Sequence, residues 1–207
     1  MGDVNMAAAG VTETNKGLKT GGGGRVSLTN LAGNLSLSNV DDAATVDVVE
    51  AAIDATGGRI TLTTEKIDIQ GDIRSERTVS GVIYSGTLTL QSLSVNTGMG
   101  VALDAPLAGF KFDLSDAELD HIIDGFDDGE ETRRVVDGVL EIIGGRDGII
   151  IGRIDGCHHM ILGAYLYRDS VTFRAPMPDG RFDVIGKMGT VGNDIDGDKV
   201  EVEFLGT

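Results

Sequence analysis

Short alternating runs dominate the first half of the chain. Arg25-Val26-Ser27-Leu28-Thr29, Asn34-Leu35-Ser36-Leu37-Ser38, Thr45-Val46-Asp47-Val48-Val49, Arg59-Ile60-Thr61-Leu62-Thr63, Lys66-Ile67-Asp68-Ile69 and Thr87-Leu88-Thr89-Leu90 place apolar and polar residues in turn. A period of two sends successive side chains to opposite faces, so each run predicts a short strand with one apolar face. Leu31-Ala32-Gly33, Gln70-Gly71-Asp72 and Asn96-Thr97-Gly98 supply the breaks.

The pattern also repeats. Gly23-Gly24-Arg25-Val26-Ser27-Leu28-Thr29 returns as Gly57-Gly58-Arg59-Ile60-Thr61-Leu62-Thr63, a spacing of 34 residues from Arg25 to Arg59. A second strand follows each copy, at Leu35-Ser36-Leu37 and at Ile67-Asp68-Ile69. A period of this size is the mark of a stacked repeat architecture. The expectation is a mainly β protein: a right-handed parallel β-helix, or solenoid, with one or two short helices inserted. A β-sandwich is the second choice. Residues 1–24 are small and polar and read as a flexible lead-in, leaving 25–207 as a single β-helix-like domain.

At residue 110 the period changes. Ser115 and Glu118 have capping-box spacing, Leu114 and Leu119 sit at staple positions, and Asp116 suits the positive helix end. Leu119, Ile122, Ile123 and Phe126 recur at helical spacing and Gly125 is a natural stop, so one amphipathic helix is predicted over 116–124. Residues 127–145 read as helix or coil, since Val135, Val136, Val139, Leu140 and Ile143 have helical spacing but Gly138 interrupts them. Residues 25–109 are thus repeat-like coils, 110–147 a helix and an acidic insertion, and 148–207 closing strands. The closing strands are predicted at 148–154, 160–162, 170–174, 181–185 and 200–204.

Composition refines this picture. Trp is absent, aromatics make up 4% and Gly numbers 31 of 207 residues, so the core must be aliphatic and narrow. The formal net charge of −16 repels phosphate backbones and anionic lipid, so no nucleic acid and no membrane insertion are expected. Residues 111–207 carry 10 Lys/Arg against 21 Asp/Glu, most of that excess. One cysteine, Cys157, rules out an intramolecular disulfide framework. No basic n-region followed by an apolar stretch opens the chain, so a signal peptide is not expected at its start.

An ordered series of segments then matters. Gly86-Thr87-Leu88-Thr89-Leu90-Gln91 precedes Phe112-Asp113-Leu114-Ser115 with Glu118-Leu119, then Asp124-Gly125-Phe126. Ile149-Ile150-Ile151-Gly152-Arg153 with Asp155-Gly156 follows, then Val171-Thr172-Phe173 with Ala175-Pro176, and Gly180 before an alternating strand. This order resembles the segment that recurs in very large filamentous-haemagglutinin-like surface proteins of bacteria, best over about 86–185. The resemblance implies a parallel β-helix shaft, export to the cell surface or beyond, and adhesion or matrix building. The chain departs from that pattern at 127–147, where a charged insertion separates two segments that usually adjoin.

Candidate chemistry is sparse. Asp194, Asp196 and Asp198, with Asn193 and Gly197, set oxygen ligands at alternate positions around a turn, as a hard cation needs, and calcium is the one cofactor suggested. Asp127, Asp128, Glu130 and Glu131 form a second acidic cluster. Cys157-His158-His159 carries metal-ligating types, but neighbours in a strand point to opposite faces. No catalytic set is expected. The partners expected are neighbouring coils or copies of the chain itself, and a surface receptor or polysaccharide. The competing reading is a carbohydrate-active β-helix enzyme, for which Asp155 and Asp169 are the carboxylates to test; Tyr165 and Tyr167 share a strand face.

Overall fold

A computed structural model of the chain describes residues 4–8, 13–16, 18–20, 24–38, 40–41, 49–80, 82–123, 126, 133–136, 139–142, 148–190 and 200–203. It is mainly β, with parallel sheets. The strands follow one another in successive passes. The first pass is β1 (Val4–Ala8), β2 (Glu13–Lys16) and β3 (Leu18–Lys19). The second is β4 (Val26–Asn30), β5 (Asn34–Ser38), the antiparallel pair β6 (Val40–Asp41) and β7 (Val49–Glu50), and β8 (Ile53–Asp54). The third is β9 (Arg59–Thr64), β10 (Lys66–Gln70) and β11 (Ile73–Arg74), followed by the hairpin β12 (Glu76–Val79) and β13 (Val82–Ser85).

The fourth pass is β14 (Thr87–Ser92), β15 (Met99–Val101), β16 (Phe112–Leu114), α1 (Asp116–Leu119) and the antiparallel pair β17 (Arg133–Val136) and β18 (Val139–Ile142). The fifth is β19 (Ile149–Gly152), β20 (His159–Leu162) and β21 (Tyr165–Tyr167). The sixth is β22 (Val171–Arg174), β23 (Arg181–Val184) and β24 (Met188–Thr190), after which β25 (Val200–Glu203) begins a seventh.

The first strands of all seven passes form one parallel sheet in the order β1-β4-β9-β14-β19-β22-β25. Second strands form β2-β5-β10 and β16-β15-β20-β23, also parallel, with β10 lying against β16. Third strands form β3-β8-β11, extended by a parallel bridge from Ile73 to Ile122, and the separate pair β21-β24. The repeat seen in the sequence is therefore a register. Val26, Ile60, Leu88, Ile149 and Val171 stand side by side across neighbouring strands, and so do Leu28, Leu62, Leu90, Ile151 and Phe173. These residues are buried, and with Leu35, Leu37, Ile67, Ile69, Ile53 and Ile73 from the other sheets they belong to a single apolar cluster.

The bend after the first strand uses the same chemistry in three passes. Asn30 Oδ1 accepts the Ala32 N–H, Thr64 Oγ1 donates to the Lys66 carbonyl at 2.8 Å, and Ser92 Oγ donates to the Ser94 carbonyl. A short side chain bonding to backbone two residues on replaces a backbone turn contact, and that fixes the corner. At the opposite bend, glycines are stacked: an added Cβ on Gly58 would lie 1.8 Å from the Gly24 carbonyl oxygen, and one on Gly86 would lie 1.9 Å from that of Gly58.

Three expectations are corrected. Residues 1–24, read as a flexible lead-in, hold β1, β2 and β3, which pair with β4, β5 and β8 and so extend the sheets by one pass. The helix read over 116–124 stops at Leu119, although its Ser115–Glu118 capping box is present. It stops because the chain turns into sheet pairing: the Ile73 N–H donates to the His121 carbonyl at 2.8 Å, and the Ile123 N–H to that of Ile73 at 3.0 Å. Within 127–145, read as helix or coil, the described residues are the antiparallel pair β17 and β18. Gly125 and most of the run 45–49 lie outside the described residues.

Candidate functional site

Asp194, Asp196 and Asp198 lie outside the described residues, as do Asp127, Asp128, Glu130 and Glu131. Among the described residues no group of three or more His, Cys, Asp or Glu is placed to hold a metal ion. The triplet Cys157-His158-His159 does not converge, and only His159 belongs to a strand, β20. His158 is fully buried, with Nδ1 3.0 Å from the Thr97 carbonyl oxygen. A carbonyl only accepts, so Nδ1 carries the proton and Nε2 is left as a buried acceptor without a partner. Burial, first of all, pushes the His158 pKa down, with the backbone bond to Thr97 opposing it. His159 faces the other way, its Nε2 2.7 Å from Asp183 Oδ2 and its ring edge-on to Phe110. The His159 and Arg181 contacts hold the Asp183 carboxyl below its usual range. Cys157 is a free thiol.

Asp155 and Asp169 do not converge. Asp155 is exposed and held by Nε and Nη2 of the Arg153 guanidinium, at 2.8 and 2.9 Å. Asp169 is buried and accepts the Phe126 N–H at 3.0 Å. Tyr165 and Tyr167 do share a face, with ring centroids 4.9 Å apart and Tyr165 donating to Asp120. Burial first, then the Asp120 contact, raises the Tyr165 pKa; burial dominates for Tyr167. Tyr167 is buried, whereas Tyr165 is half-buried and makes its hydroxyl bond at the surface. Asp113 is different: one carboxylate oxygen is buried without a partner, and burial followed by the Glu118 charge raises its pKa. It lies beside Gly100, where an added Cβ would be 2.4 Å from Asp113 Oδ1, so the neighbouring strand closes over it.

Among the described residues an open depression of about 350 Å³ lies at the bend that leads into the seven-stranded sheet. It spans three passes and is lined by Arg25, Gly57, Gly58, Arg59, Ser85, Gly86 and Thr87. Arg25 precedes Val26 as Arg59 precedes Ile60, and Arg59 is in register with Thr87, so the three side chains stand in one row on neighbouring strands. The floor is sealed from below. Buried Ser75 donates its hydroxyl to the Gly58 carbonyl at 2.8 Å and accepts the Gly86 N–H on its own carbonyl at 3.0 Å. Sequence reasoning used the Gly-Gly-Arg echo only as a repeat. Its identical placing of Arg25 and Arg59 was the signal for this site.

Outward positions beyond the depression are hydroxylic or amide: Ser27 and Thr29 on β4, Thr61 and Thr63 on β9, Thr89 and Gln91 on β14. Gln91 Nε2 donates to Thr63 Oγ1 at 2.8 Å across the strands. No carboxylate stands at the described outward positions of these three strands, in a chain of net charge −16.

No family model matches the chain, and neither the curated proteins nor the solved structures contain a significant match to it.

Proposed function

We propose that the chain is a segment of a right-handed parallel β-helix and serves as a structural and adhesive element of a secreted or cell-surface bacterial protein. Several features support the winding. Most passes from the second to the sixth visit the three sets of strands in the same order. The apolar residues of all three join one interior cluster. Every pairing between passes is parallel among the described strands, whereas a β-sandwich pairs its strands antiparallel. The order of segments over 86–185 resembles the filamentous-haemagglutinin-like repeat, and this resemblance is the basis for the bacterial surface location.

The observation that carries a structural role is the state of the last described strands. Val184 and Val202 occupy interior columns, in register with buried Leu162 and Phe173. Yet they are 53% and 44% exposed. Aliphatic columns thus end on open positions, and the backbone of a terminal strand has bonding groups for another. A further coil, or a second copy of the chain, stacks there. No catalytic step is part of the proposal.

Sedimentation velocity from low to high micromolar concentration tests it. The expected result is a mass that rises with concentration in the whole chain and stays monomeric in Val202→Asp, with both giving the same β-type circular dichroism. A wild-type chain that is monomeric throughout overturns the stacking role.

A further inference from the structure

We infer that the depression at Arg25 and Arg59 binds a single acidic sugar unit, taking its carboxylate on the two guanidinium groups. The inference rests on the adhesive reading, for which it names the ligand class. Arg25 and Arg59 stand at equivalent positions of successive passes and line the same depression. A carboxylate seated there gains charge-assisted hydrogen bonds, and the planar fork of Arg suits its two oxygens.

The surroundings favour a sugar over a bare anion. Ser85 and Thr87 line the same depression, and the hydroxyls of Thr61 and Thr89 continue outward from it. These groups both donate and accept, as a ring bearing several hydroxyls requires. The wall contributed by Gly57, Gly58 and Gly86 has no side chains, so a ring can approach the backbone. Stacking of the passes already demands Gly58 and Gly86, so these glycines permit the approach without being evidence for it. A volume of about 350 Å³ lies at the small end of ligand sites, enough for one ring and not for an extended oligosaccharide. The net charge of −16 selects further: the molecule as a whole repels a polyanion many times more strongly than one carboxylate on an otherwise neutral glycan.

The test is an amide chemical-shift titration of the whole chain with sodium glucuronate, and with glucose, sodium acetate and inorganic phosphate as separate arms. Saturable shifts at Gly58, Gly86 and Thr87 are expected with glucuronate, at least tenfold weaker binding with glucose and with acetate, and at least a tenfold loss in Arg59→Gln. Arg59→Lys, which keeps the charge but not the fork, is expected to bind weakly. Thr87→Val supplies a second variant should Arg59→Gln fail to fold, and is expected to weaken glucuronate while leaving acetate unchanged. Absence of shifts with glucuronate overturns the site, and equal affinity for acetate or phosphate overturns the sugar. Either failure is independent of the stacking reading, because association of the chain is read separately by sedimentation.

Discussion

A methyl group at position 58 would lie 1.8 Å from the Gly24 carbonyl oxygen and 2.9 Å from that of Ala55, both backbone atoms that cannot step aside singly. Gly58→Ala must therefore separate two passes. A loss of about 2–3 kcal/mol is expected, as for other overpacked sites, read as a lower urea midpoint at unchanged slope. His158 makes a prediction of opposite character. Its pKa is lowered in the folded chain, chiefly by burial, so below the ordinary value the unfolded chain takes up a proton that the folded one refuses. Stability is expected to be full above about pH 6.5 and to fall as the pH drops below it. His158→Leu removes that proton, so its urea midpoint should change less between pH 7.5 and 5.5 than that of the wild type. Equal changes in the two would show that other groups govern the acid loss.

At the scale of elements, the strands were legible wherever one face is buried and the other is not. Val26–Asn30, Asn34–Ser38 and Thr87–Ser92 alternate in burial, and their residues alternate in polarity except at the buried corner residues Asn30 and Ser92. The 34-residue spacing was legible as well, because each pass must bring an aliphatic residue back to the same column. The pair β17 and β18 was not. Val136 pairs with Val139 and Val135 with Leu140, which leaves Val135 and Val139, and Val136 and Leu140, four residues apart, and so imitates a helical stripe in a linear reading. The better signal was Asp137-Gly138 between two β-branched runs, a strong hairpin mark. Helix length failed for another reason: Ile122 bridges to Ile73, and no pattern within 116–124 announces a contact with residue 73. The site was half legible, since Arg25 and Arg59 stand in the echo, but Ser85 reaches the depression only after the β12–β13 hairpin.

The short helix is tied to the sheet by one side chain. Glu118 Oε2 accepts the Ser115 N–H at 2.8 Å, while Oε1 accepts the Ile69 N–H at 3.2 Å from β10. Ser115→Ala loses a cap, worth about 1 kcal/mol. Glu118→Ala keeps the bond from its own N–H to Ser115 Oγ but loses the reciprocal bond to the Ser115 N–H and leaves the Ile69 N–H of β10 without its acceptor, so it should cost more, and thermal unfolding of the two variants compares them. A larger loss in Ser115→Ala would contradict the strap.

Over the whole molecule, charge and apolar columns oppose each other. The interior continues to Val184 and Val202 at open positions, while a net charge of −16 repels one copy from the next. Salt screens that repulsion without weakening apolar contact. Association measured by sedimentation is therefore expected to strengthen as sodium chloride is raised, and weakening with salt would mean that ion pairs drive it instead. The central claim is that three sets of parallel strands wind around one interior. Leu62, Ile69 and Ile73 belong to one pass but to three different sheets, and all three are in the apolar cluster. Methyl–methyl nuclear Overhauser contacts in the whole chain test this most directly. The account predicts contacts linking Leu62, Ile69 and Ile73 across the interior, in addition to those of Leu62 with Leu28 and Leu90. Contacts confined to Leu28 and Leu90, with none to Ile69 or Ile73, would contradict it.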